Sequence, residues 1–200
     1  PNRSSTMLRQ TLTMARRYAK RKLRDRTSLL IQLLQAPIVA GLIGWIFLYE
    51  GKSLLNSAPI EAFKHEGLLN LIQLQNGVHA SLFLLAAAAF WFGCSNVARE
   101  VVSELPVLKR ESRSGLSLLG FLSSIFFVQS LITAAQASIT AALIWPMLQL
   151  TMPIWQGWLL LNLISLCGLS LGLFISSASR NEIVAITIIP LLLLPQLIMG

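Results

Sequence analysis

The segment NVAREVVSELPVLKRES, residues 96–112, decides how the chain is organised, because it separates two long apolar runs with charged residues. Residues 99–115 hold four Lys or Arg and three Glu, whereas the flanking runs, 78–98 and 118–144, contain no Asp, Glu, Lys or Arg. About 20 apolar residues in a helix cross a membrane core of about 30 Å. The segment is therefore predicted to connect two transmembrane helices outside the lipid.

The composition of the whole chain is typical of a membrane protein. Of its 200 residues, 54% are hydrophobic and 12% are charged, and the mean hydropathy is +0.68. The formal net charge is +8, but the basic residues flank apolar runs instead of alternating with aromatic residues on a polar face. We therefore expect membrane lipids, and no nucleic acid, as partners of these residues.

Five uncharged apolar runs predict five transmembrane helices, at residues 29–49, 78–98, 118–144, 155–175 and 183–199. The predicted fold class is an all-α polytopic membrane protein, with an amphipathic N-terminal interfacial helix and five visible transmembrane helices of an expected six. Residues 1–28 form a basic cytoplasmic segment in this interpretation. Residues 29–200 form the transmembrane domain, which we expect to be truncated at its C-terminal end.

The charges of the connecting segments predict the orientation. Residues 1–28 hold nine Lys or Arg against one Asp, residues 50–77 hold two against three Glu, and residues 146–154 hold no charge. Basic segments therefore alternate with acidic or neutral ones. Because positively charged loops stay on the cytoplasmic side, the N-terminus is predicted to be cytoplasmic, in a plasma or inner membrane.

Residues 6–25 have the pattern of an amphipathic helix. Apolar residues, among them Leu12, Met14 and Tyr18, occupy one half of the helical wheel, and arginines occupy most of the other half. Lys22 is the one basic residue on the apolar side. The helix is expected to lie at the inner interface with its arginines near anionic headgroups. It could serve only as a topology anchor, or as a lever that touches a cytoplasmic partner.

The chain shows no catalytic, nucleotide or metal site. EGKS at residues 50–53 lacks the first glycine of a phosphate-binding loop, because Ile46 stands at that position. Cys94 and Cys167 have no spacing typical of metal ligands, and His65 and His79 have no second ligand or nucleophile nearby. We therefore expect the chain to bind no metal or cofactor of its own.

Two patterns within the spans predict how helices pack. Polar residues at spacings of four, three and four form one stripe of the third span, which is expected either to hydrogen-bond neighbouring helices or to line a translocation path. A ridge of small residues in the fourth span predicts a close helix contact. The stripe consists of Gln129, Thr133, Gln136 and Thr140, and the ridge of Gly168, Gly172 and Ser176.

The longer stretch FWFGCSNVAREVVSELPVLKRESRSGLS resembles the junction between the second and third helices of ABC-2 type transporter membrane domains, especially those of the G subfamily (White-like half-transporters) and their bacterial relatives. The likeness rests on Gly93 to Asn96 at the end of the second helix, a helix ending at Glu104, the Lys-Arg-Glu run, and Ser114 to Ser117 opening the third helix. The order of elements is also similar, with a first span rich in Gln and Pro (QLLQAPIVAGLIG, residues 32–44).

The resemblance implies a role for two groups of residues. One group would contact a nucleotide-binding domain and pass its motion to the helices, and the other would lie on a connecting helix against the same domain. It also implies a nucleotide-binding domain, fused or separate, that holds ATP and Mg, and a second transmembrane domain that completes a dimer. The coupling group is Glu100, Glu104, Lys109, Arg110 and Glu111, and the connecting-helix group is Arg9, Arg16, Arg17, Lys20 and Arg21.

The predicted function is therefore the permease part of an ATP-driven exporter that moves an apolar or amphipathic substrate by alternating access. ATP hydrolysis is expected outside these residues. Besides the polar stripe, Phe83, Phe90 and Trp91 of the second span are candidates for lining the path. One alternative is a scaffold that transports nothing. Another is a lipid-modifying enzyme, for which His79 and Glu100 lie about 30 Å apart along a helix, too far for one site.

Overall fold

The computed structural model of the protein describes residues 3–57, 67–98, 100–104, 118–148, 152–179 and 181–199. Six long helices follow one another in this part of the chain, and residues 100–104 add a short helical stretch. The long helices are α1 (Arg3–Arg24), α2 (Arg26–Ser57), α3 (Gly67–Val97), α4 (Leu118–Leu148), α5 (Ile154–Ala178) and α6 (Glu182–Met199).

Four helical stretches of the described residues are long and apolar enough to cross a membrane: Arg26–Leu48, His79–Glu104, Leu118–Leu148 and Ile154–Ala178. They coincide with four of the five predicted spans, and the fifth predicted run is helical as α6. Large apolar side chains such as Trp45, Leu119 and Phe174 are exposed on the outer faces of the bundle, as lipid-facing residues would be. The prediction of an all-α polytopic membrane protein is confirmed.

The chain turns from α1 into α2 at a single residue, Asp25. Its carboxylate Oδ1 accepts a hydrogen bond from the backbone N–H of Ser28 at 3.2 Å, which satisfies one of the free donors at the start of α2. Asp25 therefore caps α2 and separates a basic helix from an apolar one.

The buried face of α1 differs from the apolar half of the helical wheel. Ala15 and Tyr18 are buried, and so is Lys22, whereas Leu12 and Leu23 are 72% and 66% exposed. Residues 15, 18 and 22 are three and four apart and form one stripe, because such residues are neighbours on a helix surface. This stripe is the buried face of α1 among its described side chains, and α1 packs mainly against α4.

Glycines hold α3 and α5 in the closest packing of the bundle. A Cβ on Gly93 would collide with the backbone oxygen of Ser165, and one on Gly168 would collide with that of Phe90. At Gly172 the added atom would lie 2.6 Å from the carbonyl oxygen of Cys94. The predicted small-residue ridge therefore packs on α3, backbone against backbone.

An apolar cluster joins these elements at the end of the bundle where α1 lies. It brings together α1, the end of α3, the 100–104 stretch, α4 and α5. Its buried members include Tyr18, Val101, Phe121, Ile125 and Leu169. This cluster places the charged groups of α1 beside those of the 100–104 stretch.

Candidate functional site

Two ion pairs join α1 to the 100–104 stretch. Lys22 Nζ contacts Glu100 Oε1, and Arg21 Nη1 contacts Glu104 Oε1. The side chains of Lys22 and Glu100 are only 7% and 18% exposed, while Arg21 is 52% exposed. We call this set, together with Tyr18, the ionic junction. Its two pairs are chemically alike but differ strongly in their contact with solvent.

Tyr18 links the ionic junction to the interior. Its hydroxyl donates to Glu100 Oε2 at 2.5 Å and accepts a hydrogen bond from Gln129 Nε2 of α4 at 3.0 Å. Burial raises the pKa of Tyr18 above its ordinary value of 10.0, and the negative charge of Glu100 raises this pKa further. Tyr18 therefore keeps its proton and acts as a donor toward Glu100.

Four buried or half-buried amide side chains continue the polar contacts between α2, α3 and α4. Asn96 Nδ2 donates to Gln136 Oε1, and Gln136 Nε2 donates to the backbone oxygen of Gln32, each at 2.6 Å. The backbone oxygen of Asn96 accepts from both Gln129 Nε2 at 3.2 Å and Gln32 Nε2 at 3.4 Å. We call Gln32, Asn96, Gln129 and Gln136 the amide cluster.

The amide cluster forms where α3 ends, and this position explains its chemistry. The last backbone carbonyls of a helix have no partner within the helix, so a buried helix end needs donors from elsewhere. Gln32 and Gln129 supply such donors to Asn96. On the other side, the backbone N–H of Val101 donates to Ser176 Oγ of α5 at 3.2 Å, which anchors the 100–104 stretch.

Three acceptor atoms of the amide cluster remain unpaired within the described part of the chain. They are Gln32 Oε1, Asn96 Oδ1 and Gln129 Oε1, all buried. Among the described residues, this end of the bundle therefore holds more buried acceptors than donors, and each acceptor without a donor costs free energy.

A cavity of about 520 Å³ opens beside the ionic junction. It lies between the end of α1, the first turns of α2 and the 100–104 stretch. Its lining combines charged, hydroxyl and amide groups with one large apolar side chain: Tyr18, Arg21, Lys22, Asp25, Thr27, Ser28, Ile31, Gln32, Glu100, Ser103 and Glu104.

The structure brings some of the predicted coupling and connecting-helix residues together. Glu100 and Glu104 face α1, where Arg21 pairs with the second of them. The other described basic residues of that group are exposed. The remaining predicted residues lie outside the described side chains, so contact of either group with a nucleotide-binding domain stays a prediction. The exposed residues are Arg16, Arg17 and Lys20, and those outside the description are Arg9, Lys109, Arg110 and Glu111.

The polar stripe of α4 is entirely buried. Gln129 and Gln136 hydrogen-bond other helices as members of the amide cluster. Thr133 and Thr140 donate instead to carbonyl oxygens of their own helix, each at 2.9 Å. The expected helix-to-helix hydrogen bonds are therefore present, made by the glutamines only.

The aromatic path candidates lie on α3, whereas the stripe lies on α4. Phe83, Phe90 and Trp91 are half-buried on α3. Trp91 lines an apolar groove of about 330 Å³ between α2 and α3, and no stripe residue does so. Whether either set lines a translocation path stays a prediction.

Sequence reasoning missed four residues of the site: Tyr18, Lys22, Gln32 and Asn96. Lys22 carried a usable signal, since a lone basic residue on the apolar side of a helix needs a buried partner. Gln32 and Asn96 each stand within an apolar run, where a polar side chain turns toward protein instead of lipid. Tyr18 looked like an ordinary apolar-face residue.

The fold and the site together define a multi-pass helical membrane domain whose N-terminal helix is ion-paired to the connection between two of its spans. The family model described as ABC-2 type transporter matches residues 9–200, and the chain belongs to this family. Comparison with curated proteins and with solved structures gives no match.

Membership of the family confirms the resemblance noted in the charged stretch and makes this chain the membrane permease part of an ABC transporter. It also implies partnership with an ATP-binding cassette component. Assignment to the G subfamily stays a prediction.

Proposed function

We propose that the chain is the permease of an ATP-driven exporter in which α1 and the 100–104 stretch act as one coupling unit. The observation that carries the proposal is the ionic junction, in which Lys22 and Tyr18 of α1 share the carboxylate of Glu100. Movement of nucleotide-binding domains on the cytoplasmic side would reach both elements together.

The burial of Lys22 supports treating these elements as one unit. Removing one partner of a buried ion pair costs about 3–5 kcal/mol, because it leaves an uncompensated charge in a poorly solvated place. Pulling α1 away from the 100–104 stretch would separate Lys22 from Glu100 and leave both charges poorly solvated until water entered. The elements are therefore expected to move together during each transport cycle.

The hydrogen bonds that leave the junction give this movement a route into the spans. Tyr18 contacts Gln129 of α4, and Val101 contacts Ser176 of α5. Since α3 and α5 are packed backbone to backbone at Gly93, they are expected to move as a rigid pair. Displacement of the coupling unit would thus tilt α3, α4 and α5 together and alternate the access of a path between two permeases.

The apolar groove between α2 and α3 favours an apolar or amphipathic substrate. Its lining holds no ionisable side chain: Val39, Leu42, Ile43, Ile46, Leu84, Ala87, Ala88 and Trp91. A ligand buried there would gain mainly from removal of apolar surface from water.

The test uses the permease assembled with its nucleotide-binding domains in lipid nanodiscs for ATP hydrolysis, and in sealed vesicles for transport. Rhodamine 123 and a fluorescent phospholipid serve as amphipathic probes. Tyr18→Phe and Gln129→Met break the link between α1 and α4, while Gln156→Met changes an exposed glutamine at the start of α5 and is the control.

We expect Tyr18→Phe and Gln129→Met to retain basal ATP hydrolysis within about twofold of wild type. Each should move about tenfold less probe per ATP hydrolysed, which corresponds to the loss of one hydrogen bond in a coupled network. The control should match wild type. Unchanged transport per ATP in both linking variants would refute the coupling role. If the wild-type assembly moves neither probe and its ATP hydrolysis responds to neither, the scaffold alternative is favoured over the exporter.

A further inference from the structure

The outer face of α6 carries large apolar side chains in one stripe. Leu191, Leu194 and Ile198 are each more than half exposed, and their spacing of three and four places them on one side of the helix. The buried residues Ala185 and Ile189 lie on the other side, where α6 packs on α3 and α5. We call the three exposed residues the α6 stripe. It points away from the described part of the bundle.

The apolar groove between α2 and α3 lies at the same depth as the α6 stripe. Ile189 of α6 packs with Cys94 of α3, and α6 returns from the end of α5, which runs beside α3 in the same direction. The stripe therefore lies about 3–14 Å from this contact, toward the start of α3. The α3 residues that line the groove lie about 5–15 Å from it in the same direction. They are Trp91, Ala88, Ala87 and Leu84.

The shape of the groove suits a helix that carries such a stripe. The groove has a volume of about 330 Å³, with Ala87 and Ala88 at its floor and the exposed side chains of Leu42 and Ile46 at its α2 side. Small residues let a second transmembrane helix approach closely, and van der Waals packing then favours association of the helices in lipid. The large side chains of the stripe would supply that packing.

A hydrogen-bond donor in the groove matches an acceptor beside the stripe. Pro195 has no N–H, so the carbonyl of Leu191 lacks its partner within α6. Trp91 lines the groove, and its indole N–H makes no hydrogen bond with the described residues. The two groups differ in depth by only about 2 Å. Acyl chains satisfy neither group, because hydrocarbon has no hydrogen-bond donor or acceptor.

We propose that the α6 stripe of one copy of this chain packs into the α2–α3 groove of a second copy, with the Trp91 indole donating to the carbonyl of Leu191. A twofold axis perpendicular to the membrane preserves depth, so equal depths within one chain become contacts between two copies. The same axis forms the contact twice and closes the assembly. The inference goes beyond the proposed function by naming the surfaces through which two permeases meet. A substrate would enter the groove where these surfaces part.

The test joins two differently tagged copies of the full chain by a disulfide in the membrane. One copy carries Leu194→Cys and the other carries Ala88→Cys, so a bond between these cysteines must link two chains. The control pairs Leu194→Cys with Ala142→Cys, at an exposed alanine of α4 that lies outside the groove at nearly the same depth. All copies carry Cys167→Ala, because Cys167 is exposed. Mild oxidation is followed by measurement of the covalent product that carries both tags.

The Ala88 pair should give at least about tenfold more doubly tagged product than the Ala142 pair, because a disulfide requires Cα atoms within about 7 Å. Equal yields from the two pairs, with both tags co-purifying before oxidation, would mean that the copies meet through another face. Tags that do not co-purify would leave the groove to lipid or to a different protein. Either result would overturn the proposal.

A second measurement addresses the hydrogen bond. Trp91→Phe keeps an aromatic ring but removes the N–H, and it should raise the dissociation constant of the two copies in detergent about fivefold, as for one lost hydrogen bond between helices. Trp45→Phe, at an exposed tryptophan of α2, is the control and should match wild type. Equal dissociation of Trp91→Phe and wild type would overturn the contact with Leu191. Neither measurement uses ATP or transport, so the interface and the exporter function can fail separately.

Discussion

The two ion pairs of the ionic junction should differ greatly in their contribution to stability. Replacing the glutamate of each pair with glutamine tests this difference, because the basic residue that remains is buried in one pair and exposed in the other. Glu100→Gln leaves the Lys22 ammonium, 7% exposed, without a counter-charge. Glu104→Gln leaves the Arg21 guanidinium, 52% exposed, in contact with water. The two substitutions are chemically identical and act on the same pair of elements, so each serves as the control for the other.

The magnitudes follow from burial. Breaking a buried pair costs about 3–5 kcal/mol, and we expect about 3 kcal/mol for Glu100→Gln, because Glu100 keeps 18% exposure and Gln still accepts from Tyr18. An exposed pair is worth about 0.2–1 kcal/mol, which is the expectation for Glu104→Gln. Replacing both buried partners, Lys22→Met with Glu100→Gln, should recover at least half of the loss, because no charge then remains buried.

Amide hydrogen exchange of α1 in nanodiscs measures these differences. If α1 must leave the bundle before its amides exchange, about 3 kcal/mol accelerates exchange roughly 150-fold, and about 1 kcal/mol accelerates it less than about sixfold. Equal acceleration by the two glutamine substitutions, or no recovery in the double variant, would refute the argument that burial of the remaining charge sets the cost.

Four further predictions concern individual residues. Gly93→Ala should lower the thermal midpoint of unfolding by several degrees, because its Cβ would collide with the backbone of α5. Gly41→Ala is the control: its Cβ would meet no atom within 4 Å, so it should be neutral or stabilising by up to about 1 kcal/mol. Equal midpoints for the two variants would contradict this reasoning. Tyr18 should stay protonated in folded protein at pH 11, so Tyr18→Phe should leave the phenolate absorbance at 295 nm unchanged, and a loss of one tyrosine's signal would disprove it. Because the pKa of Tyr18 is higher when α1 is docked, the contribution of Tyr18 to docking should be fully present below pH 10 and decrease as the pH rises above 10. Amide exchange of α1 as a function of pH measures this dependence. Gln136→Met leaves the Asn96 amide without its acceptor and should cost about 1–3 kcal/mol, with partial recovery on adding Asn96→Leu; additivity of the two changes would show that they do not interact.

The helices and their packing ridge were predictable from local pattern. A chain segment in lipid must hydrogen-bond its own backbone, so a long uncharged run has few alternatives to a helix. The spacing of Gly168, Gly172 and Ser176 likewise predicted a close helix contact. It did not predict that α3 is the partner, because a ridge of small residues permits close approach by any helix.

The site was predictable only in part. The resemblance to ABC-2 membrane domains singled out Glu100 and Glu104. The glutamines of α4 stood out because polar residues within an apolar run are costly in lipid and therefore informative. The pattern of α1 also marked Lys22 as an exception on its helix. None of these patterns showed that Lys22 and Glu100 meet, since they lie 78 residues apart.

The membrane class, the helices, the family resemblance and the polar face of α4 could all be inferred from local sequence patterns. The pairing of donors with acceptors could be read only from the packed helices: Lys22 and Tyr18 with Glu100, Gln129 with Tyr18, and Asn96 with Gln136. The physical reason is that periodicity within a helix specifies the direction in which a side chain points. The partner that it reaches depends on how separate helices pack, and that packing arises from contacts distant in the chain.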